Sequence, residues 1–213
     1  MSLLEYIKGR ARGRLRLLVC GHPTLRRRAE PVAAVTPEIR ELAERMIRTM
    51  LENDVVGVGL AAPQVGRSLR LIVLGTHDPE RPLSPTASPG EMLLGPRMPL
   101  ALVNPEVVWF SPETEAVSEG CLSVPEVAGP VERPKRVILR AATLDGETLQ
   151  VECGGLLARC IQHEIDHLDG ILFIDRLRDE DRARVAPQIS LLERRAARHA
   201  GAVSAEGGPG SGA

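Results

Sequence analysis

The sequence predicts an α+β fold, with mixed or antiparallel sheets packed around a central metal-binding helix and a further helix near the C-terminus. Three observations predict it. Apolar residues recur at helical spacing in two segments, one near residue 45 and one near residue 160. Strand-like runs lie before and between those segments. The second helical segment carries two histidines four residues apart, which places both on one helix face.

Residues 1–16 read as an extension ahead of the first core elements, and 17–200 as one domain. Thr36-Pro37 opens the first helix, with a capping hydroxyl and then proline at the first helical position. Ile39, Leu42, Ala43, Met46, Ile47, Met50 and Leu51 continue it to about Asn53. The stretch Gly57-Val58-Gly59-Leu60-Ala61-Ala62-Pro63-Gln64-Val65-Gly66 breaks both periodicities and reads as a loop.

Leu69 to Leu74 reads as a strand, and Thr76 to Pro99, rich in Pro, Gly and Ser, as an irregular insertion or exposed loop. Further strands are expected at Leu100 to Phe110, Glu115 to Glu119 and Arg136 to Ala142. Past the turn Asp145-Gly146, another spans Thr148 to Glu152. Gly154-Gly155 opens the second helix, which runs to about Leu168 and stops at Gly170. Ile171 to Ile174 reads as a short strand, and Asp179 to about Ala200 as a helix interrupted at Pro187. Gly201 to Ala213 is small and Gly-rich, the composition of a disordered tail.

Composition narrows the function classes. Of 213 residues 43% are hydrophobic and 26% charged, the balance of a soluble globular chain. The net charge of −1 gives no reason to expect a nucleic-acid substrate. Arginines gather near both ends, as Arg10, Arg12, Arg14 and Arg16, then Arg26 to Arg28, and later Arg194, Arg195 and Arg198, and read as solvated surface. Tyr6, Trp109, Phe110 and Phe173 are the only aromatics, so Leu, Val, Ile and Ala must build the core. Cysteines 20, 121, 153 and 160 form no CxxC pair, and the sequence holds no secretory signal or membrane-spanning run. Reduced thiols in a cytoplasm follow, with an organellar leader less favoured because the Arg-rich start lacks serine enrichment.

The chemistry concentrates at His163-Glu164-Ile165-Asp166-His167. Residues four apart put two imidazoles within reach of one ion. Glu164, about 100° further round the helix, reaches a metal-held water without being a ligand. Leu156, Leu157, Ile161 and Ile165 make the helix apolar, and a buried acid between buried histidines needs a partner. Two histidines leave a catalytic site one ligand short. Downstream, Asp175, Glu180, Glu193 and His199 are weak candidates. Upstream, Cys121 in Glu119-Gly120-Cys121-Leu122-Ser123-Val124-Pro125 reads alone as a small core residue. Beside the two histidines, its thiolate would complete a Cys-His-His set. In the glycine-rich segment an extended peptide can pair beside Val58 and Gly59, and Gln64 offers a neutral amide donor for a developing oxyanion.

Together these segments resemble the peptide deformylases. Gly57 to Gln64 is similar to the family's first motif, Glu119 to Pro125 matches E-G-C-L-S-x-P, and Gln162 to His167 matches Q-H-E-x-D-H. The resemblance runs from about Leu17 to Leu177. It implies metal ligation by Cys121, His163 and His167, acid–base work by Glu164, and oxyanion stabilisation by Gln64 and the Leu122 amide. It implies one divalent ion, physiologically Fe2+, with Zn2+, Ni2+ or Co2+ able to replace it. The implied substrate is a nascent chain beginning with formyl-methionine, hydrolysed by a metal-activated hydroxide to release formate. The implied setting is the bacterial cytoplasm, with the ribosome surface as partner through a tail like the C-terminal helix.

A methionine pocket is expected beside His163, on the face carrying Leu156 and Cys160. The sequence departs from the family at Arg159, where an apolar residue is usual; its guanidinium can close the pocket mouth or snorkel to solvent. Two other readings compete. An H-E-x-x-H zinc metallopeptidase requires a downstream third ligand and no role for Cys121. A noncatalytic protein with a structural metal requires four protein ligands and leaves Glu164 dispensable.

Overall fold

A computed structural model describes residues 13–53 and 57–205. Seven strands and four α-helices are found among them. In chain order the strands are β1 (Gly59–Ala61), β2 (Leu71–Leu74), β3 (Leu100–Phe110), β4 (Thr114–Cys121), β5 (Val124–Pro134), β6 (Val137–Thr143) and β7 (Thr148–Cys153). The helices are α1 (Pro37–Leu51), α2 (Pro89–Leu94), α3 (Gly155–Leu168) and α4 (Asp179–Ala205). Five strands form an antiparallel sheet in the order β1-β2-β3-β6-β7, and β4 and β5 form a separate hairpin. The α+β class expected from the sequence is the class observed.

Alternation along β2 explains how the layers assemble. Leu71 and Val73 face the cluster that holds Met46, Ile47 and Met50 of α1. Ile72 and Leu74 face the cluster that holds Leu157, Ala158 and Ile161 of α3. A strand with both faces buried must be apolar throughout, and all four β2 residues are. The sheet thus lies between α1 and α3. On its other side α3 meets the hairpin, whose Val124, Val127 and Val131 join Phe173 and Leu192 of the C-terminal part in a third cluster.

Several elements differ from expectation, each for a physical reason. The 57–66 segment is ordered: β1 pairs with β2, and a 3-10 turn over Ala62–Val65 ends at Gly66, whose φ of 78° suits glycine. The insertion is less irregular than its composition suggests. Ser88 caps α2, accepting from the Glu91 amide while the Glu91 carboxylate accepts from the Ser88 amide at 2.8 Å. Ser88 Oγ also accepts from Gly154 N–H at 2.9 Å, so the insertion flanks the start of α3.

Strand β5 went unexpected because Pro125, Pro130, Pro134 and Gly129 interrupt its pattern. In a two-stranded hairpin each strand has a free edge where a missing N–H costs nothing. Ile171 to Ile174 forms no strand; a 3-10 turn covers Phe173–Asp175, with Leu172, Phe173 and Ile174 buried. Pro187 does not interrupt α4, which runs unbroken to Ala205, past the expected end at about Ala200.

Thr36 stands at the N-cap of α1 without bonding a helix amide; its hydroxyl bonds the Glu38 carboxylate and holds that group below its usual range. The extension is shorter than expected, since Leu15 N–H donates to Thr49 Oγ1 and Leu15 packs on the α1 cluster. Residues 1–12 and 206–213, covering most of the expected extension and tail, lie outside the described residues. Trp109 and Phe110 lie at the outer end of β3, 39% and 52% exposed.

Candidate metal centre

Three ligand atoms from two bodies converge. Cys121 ends β4, where the pairing with Val124 departs from the hairpin register, and α3 supplies His163 and His167. One ligand atom from each of the three lies within 4.8 Å of the others. Cys121 Sγ stands 3.2 Å from His167 Nε2. Bonds of about 2.3 Å to sulfur and about 2.0 Å to nitrogen put tetrahedral ligand atoms roughly 3.5 Å apart, so the spacing fits one ion. The donor chemistry fits too, because one thiolate and two imidazoles suit a borderline-soft divalent metal.

A hydrogen bond fixes the His163 ring. His163 Nδ1 faces Glu119 Oε2 at 2.9 Å, leaving Nε2 for the centre. Burial favours the neutral ring, yet hydrogen bonds with Cys121 and Glu119 push its pKa well above the ordinary histidine value. His167 goes the other way, lowered by burial and by neighbouring His163. Phe173 stacks on His163 with ring centroids 6.3 Å apart.

Glu164 is 3% exposed, and its Oε2 is buried without a hydrogen-bond partner among the described residues. Burial pushes its carboxyl up to about 7, with His163 pulling down and Glu119 pushing up. The Gln64 amide is oriented at both ends. Its Oε1 accepts from Ala61 N–H at 2.8 Å, which aims Nε2 toward Ser123 Oγ at 3.2 Å and Cys121 Sγ at 3.5 Å. Leu122 follows Cys121 in the turn and packs near Gly57.

Cys160 is buried, its thiol donating to the Val58 carbonyl at 3.3 Å, and burial raises its pKa well above the ordinary value. Gly59 is required here. A Cβ on it would lie 2.6 Å from Cys160 Sγ and closer still to Glu164 Oε1. Val58 and Leu156 are exposed apolar residues. Leu156 therefore does not help bury α3, as its place in the apolar pattern suggested.

Sequence reasoning missed the charge network behind the ligands. Arg133, almost fully buried on β5, donates to Glu119 Oε1 at 2.6 Å and Oε2 at 2.9 Å and to Asp166 Oδ2 at 2.8 Å. Arg176 donates from Nε to Asp166 Oδ2 at 2.7 Å. Burial alone would raise the Glu119 carboxyl, but hydrogen bonds from His163 and Arg133 hold it down at about 2. Only Asp166, a buried acid three residues beyond His163, signalled that a cation must come from elsewhere.

Arg159 does not snorkel to solvent: its side chain is 13% exposed and bonded to the hairpin. The downstream ligand candidates stay away from the centre. Asp175 pairs with Arg26 and accepts from Leu172 N–H at 2.8 Å, and Glu180 and Glu193 are exposed. The side chain of His199 lies outside the described set. A cavity of about 630 Å³ opens on the far side of α3, beside Asp166, Arg176 and Phe110, and holds none of the three ligands.

Comparison with known proteins agrees with this geometry. The model of the polypeptide deformylase family matches residues 15–183. "Peptide deformylase 2" of Gloeobacter violaceus is 43% identical over 169 residues, covering 79% of this chain and 81% of the relative. The peptide deformylase of Acinetobacter baumannii is 41% identical over 181 residues, covering 85% and 93%. The crystal structure of the Thermotoga maritima peptide deformylase superposes with a TM-score of 0.66 at 41% identity, covering 78% of this chain and 99% of that one. The Ehrlichia chaffeensis peptide deformylase gives 0.73 at 32% identity, covering 86% and 98%.

Proposed function

The chain belongs to the peptide deformylase family, and on that premise we propose how its residues share the removal of the N-formyl group from nascent polypeptides. The enzyme is a metal-dependent hydrolase whose metal site is Cys121, His163 and His167. The single observation that carries the reading is the approach of the hairpin thiol to within 3.2 Å of an imidazole on α3. An H-E-x-x-H peptidase has no use for that sulfur.

When bound, the ion lowers the pKa of water toward neutrality and polarises the formyl carbonyl. Glu164, with one oxygen unpartnered and its pKa near 7, takes the proton of the attacking water and returns it to the leaving amine. Gln64 Nε2, aimed by the Ala61 N–H bond at its other end, stabilises the oxyanion together with the Leu122 N–H. Each such donor is worth about 3 kcal/mol in the barrier. Strand β1 ends the sheet order, so its free edge, which begins at Gly59 just after Val58, suits an extended substrate backbone. Leu156, Cys160 and the His163 ring line the side-chain pocket for methionine in this reading. A formyl carbon carries only hydrogen, and a tight pocket excludes larger acyl groups; equal turnover of formyl- and acetyl-methionyl peptides would refute that.

Fe2+ is the proposed physiological ion, with Zn2+, Ni2+ or Co2+ able to replace it, because the donor set accepts several metals. Residues 17–200 are read as one catalytic domain, acting in the bacterial cytoplasm at the ribosome surface. No helix of the described residues is long and apolar enough to cross a membrane. The decisive experiment purifies the protein without oxygen and measures bound metal and formate release from a formyl-methionyl peptide. C121S is expected to lose the metal and the activity together. Metal retained at full occupancy in C121S would end the assignment.

A further inference from the structure

Arg159 occupies a place of mechanical consequence. It lies one turn before His163 on α3, yet all its described bonds go to the hairpin. One terminal nitrogen donates to Glu119 Oε1 at 2.8 Å and to the Val131 carbonyl at 3.0 Å. The other donates to the Glu115 carbonyl at 2.8 Å. Glu115 and Glu119 belong to β4 and Val131 to β5, so one guanidinium grips both strands.

The ligand set makes that grip matter. The sulfur belongs to the hairpin and the imidazoles to α3, and the hairpin shares no strand pairing with the five-stranded sheet. Neither element's own hydrogen bonds set the distance between sulfur and rings. That distance depends on cross-links, and Arg159 spans the gap from the helix side with three bonds. Its planar fork is suited to several acceptors at fixed angles, which a lysine ammonium cannot reproduce. By sharing Glu119 Oε1 with Arg133 at 2.6 Å, it also helps fix the carboxylate whose Oε2 faces His163 Nδ1 at 2.9 Å.

We propose that Arg159 is a positioning residue that presets the spacing between Cys121 and His163, and so governs how tightly the enzyme keeps its metal. The inference rests on the assignment of Cys121, His163 and His167 as ligands. It makes Arg159 a residue of metal retention, with substrate choice secondary.

The test loads wild type, R159M and R159K with Co2+ without oxygen. It records the thiolate-to-cobalt charge-transfer band and the rate of cobalt loss to excess chelator. Apoprotein unfolding temperature and the separate kcat and KM values are measured alongside. Supporting residues of ligands typically change metal affinity by 10- to 100-fold, and Arg159 acts through one, so about tenfold faster loss is expected in R159M. The band should weaken or shift, kcat should fall and KM should hold. A role in folding alone would lower the apoprotein unfolding temperature and leave loss rate and band at wild-type values; that result overturns the proposal. If R159M does not fold, R159K is read by the same two measurements, and wild-type values there overturn it equally. A wild-type protein without the charge-transfer band would refute the ligand assignment itself, a separate outcome.

Discussion

Replacing Arg133 by Met is the most discriminating test of how the fold is held. The guanidinium is 4% exposed and donates to two carboxylates, Glu119 at 6% and Asp166 at 9%. Removing it leaves both acids buried, and breaking a buried pair costs about 3–5 kcal/mol. The loss is tempered because Glu119 keeps Arg159 and His163, and Asp166 keeps Arg176. The low end, about 3 kcal/mol, is therefore expected. At roughly 2–4 °C per kcal/mol for a chain of this size, the unfolding midpoint should fall by about 6–12 °C. The control is R140M. Arg140 pairs with Glu106 at 2.6 Å, closer than most bonds in the network, but both side chains are about half exposed. Water replaces what that mutation removes, so its midpoint should stay at the wild-type value. Thermal unfolding of the metal-free proteins followed by far-ultraviolet circular dichroism measures both. An R133M midpoint no lower than that of R140M would refute the reasoning, since burial would then not separate the two pairs.

Other outcomes follow from single features. Gly59→Ala places a methyl against Cys160 Sγ and Glu164 Oε1, so formate release should drop by about 100-fold with modest loss of stability; steady-state kinetics at near-wild-type activity would contradict the packing. Acid should destabilise the metal-free protein through Glu119. Its folded pKa, about 2, lies below the ordinary 4.5, so its contribution is complete above about 4.5 and fades as pH falls toward 2. Urea titrations at stepped pH read this, and a flat profile across that window would count against it. Pro187→Ala should stabilise α4. An interior proline costs about 3 kcal/mol against alanine, part of it returned through the unfolded chain, so a gain of about 2 kcal/mol is expected in urea denaturation.

What could be read from the sequence was what local spacing encodes. His163 and His167 share a helix face because of their four-residue interval, and Cys121 joins them at the end of a strand that alternation had placed almost correctly. The helices at 37–51 and 155–168 and the strand over 100–110 follow from periodicity and their breakers. Less legible were features decided by distant partners. Arg133 and Asp166 are 33 residues apart, and nothing beside either names the other. Arg159 looked like an intrusion because its acceptors are two backbone carbonyls and one acid on the hairpin. Prolines hid β5, since the rule that excludes them from strands is suspended at a free edge. By contrast, Ser88-Pro89-Gly90-Glu91 carried a legible capping signal for α2 within a segment whose composition suggested irregularity.

The placement of Trp109 decides what fluorescence can report. It is the chain's only indole, set against Ile138 of the neighbouring strand at the half-open rim of β3. Its emission is a single-point gauge of that rim, and the histidine-bearing helix stays dark to it. A melt followed by emission alone would equate one edge with the whole molecule, and agreement with circular dichroism is what would license a two-state description.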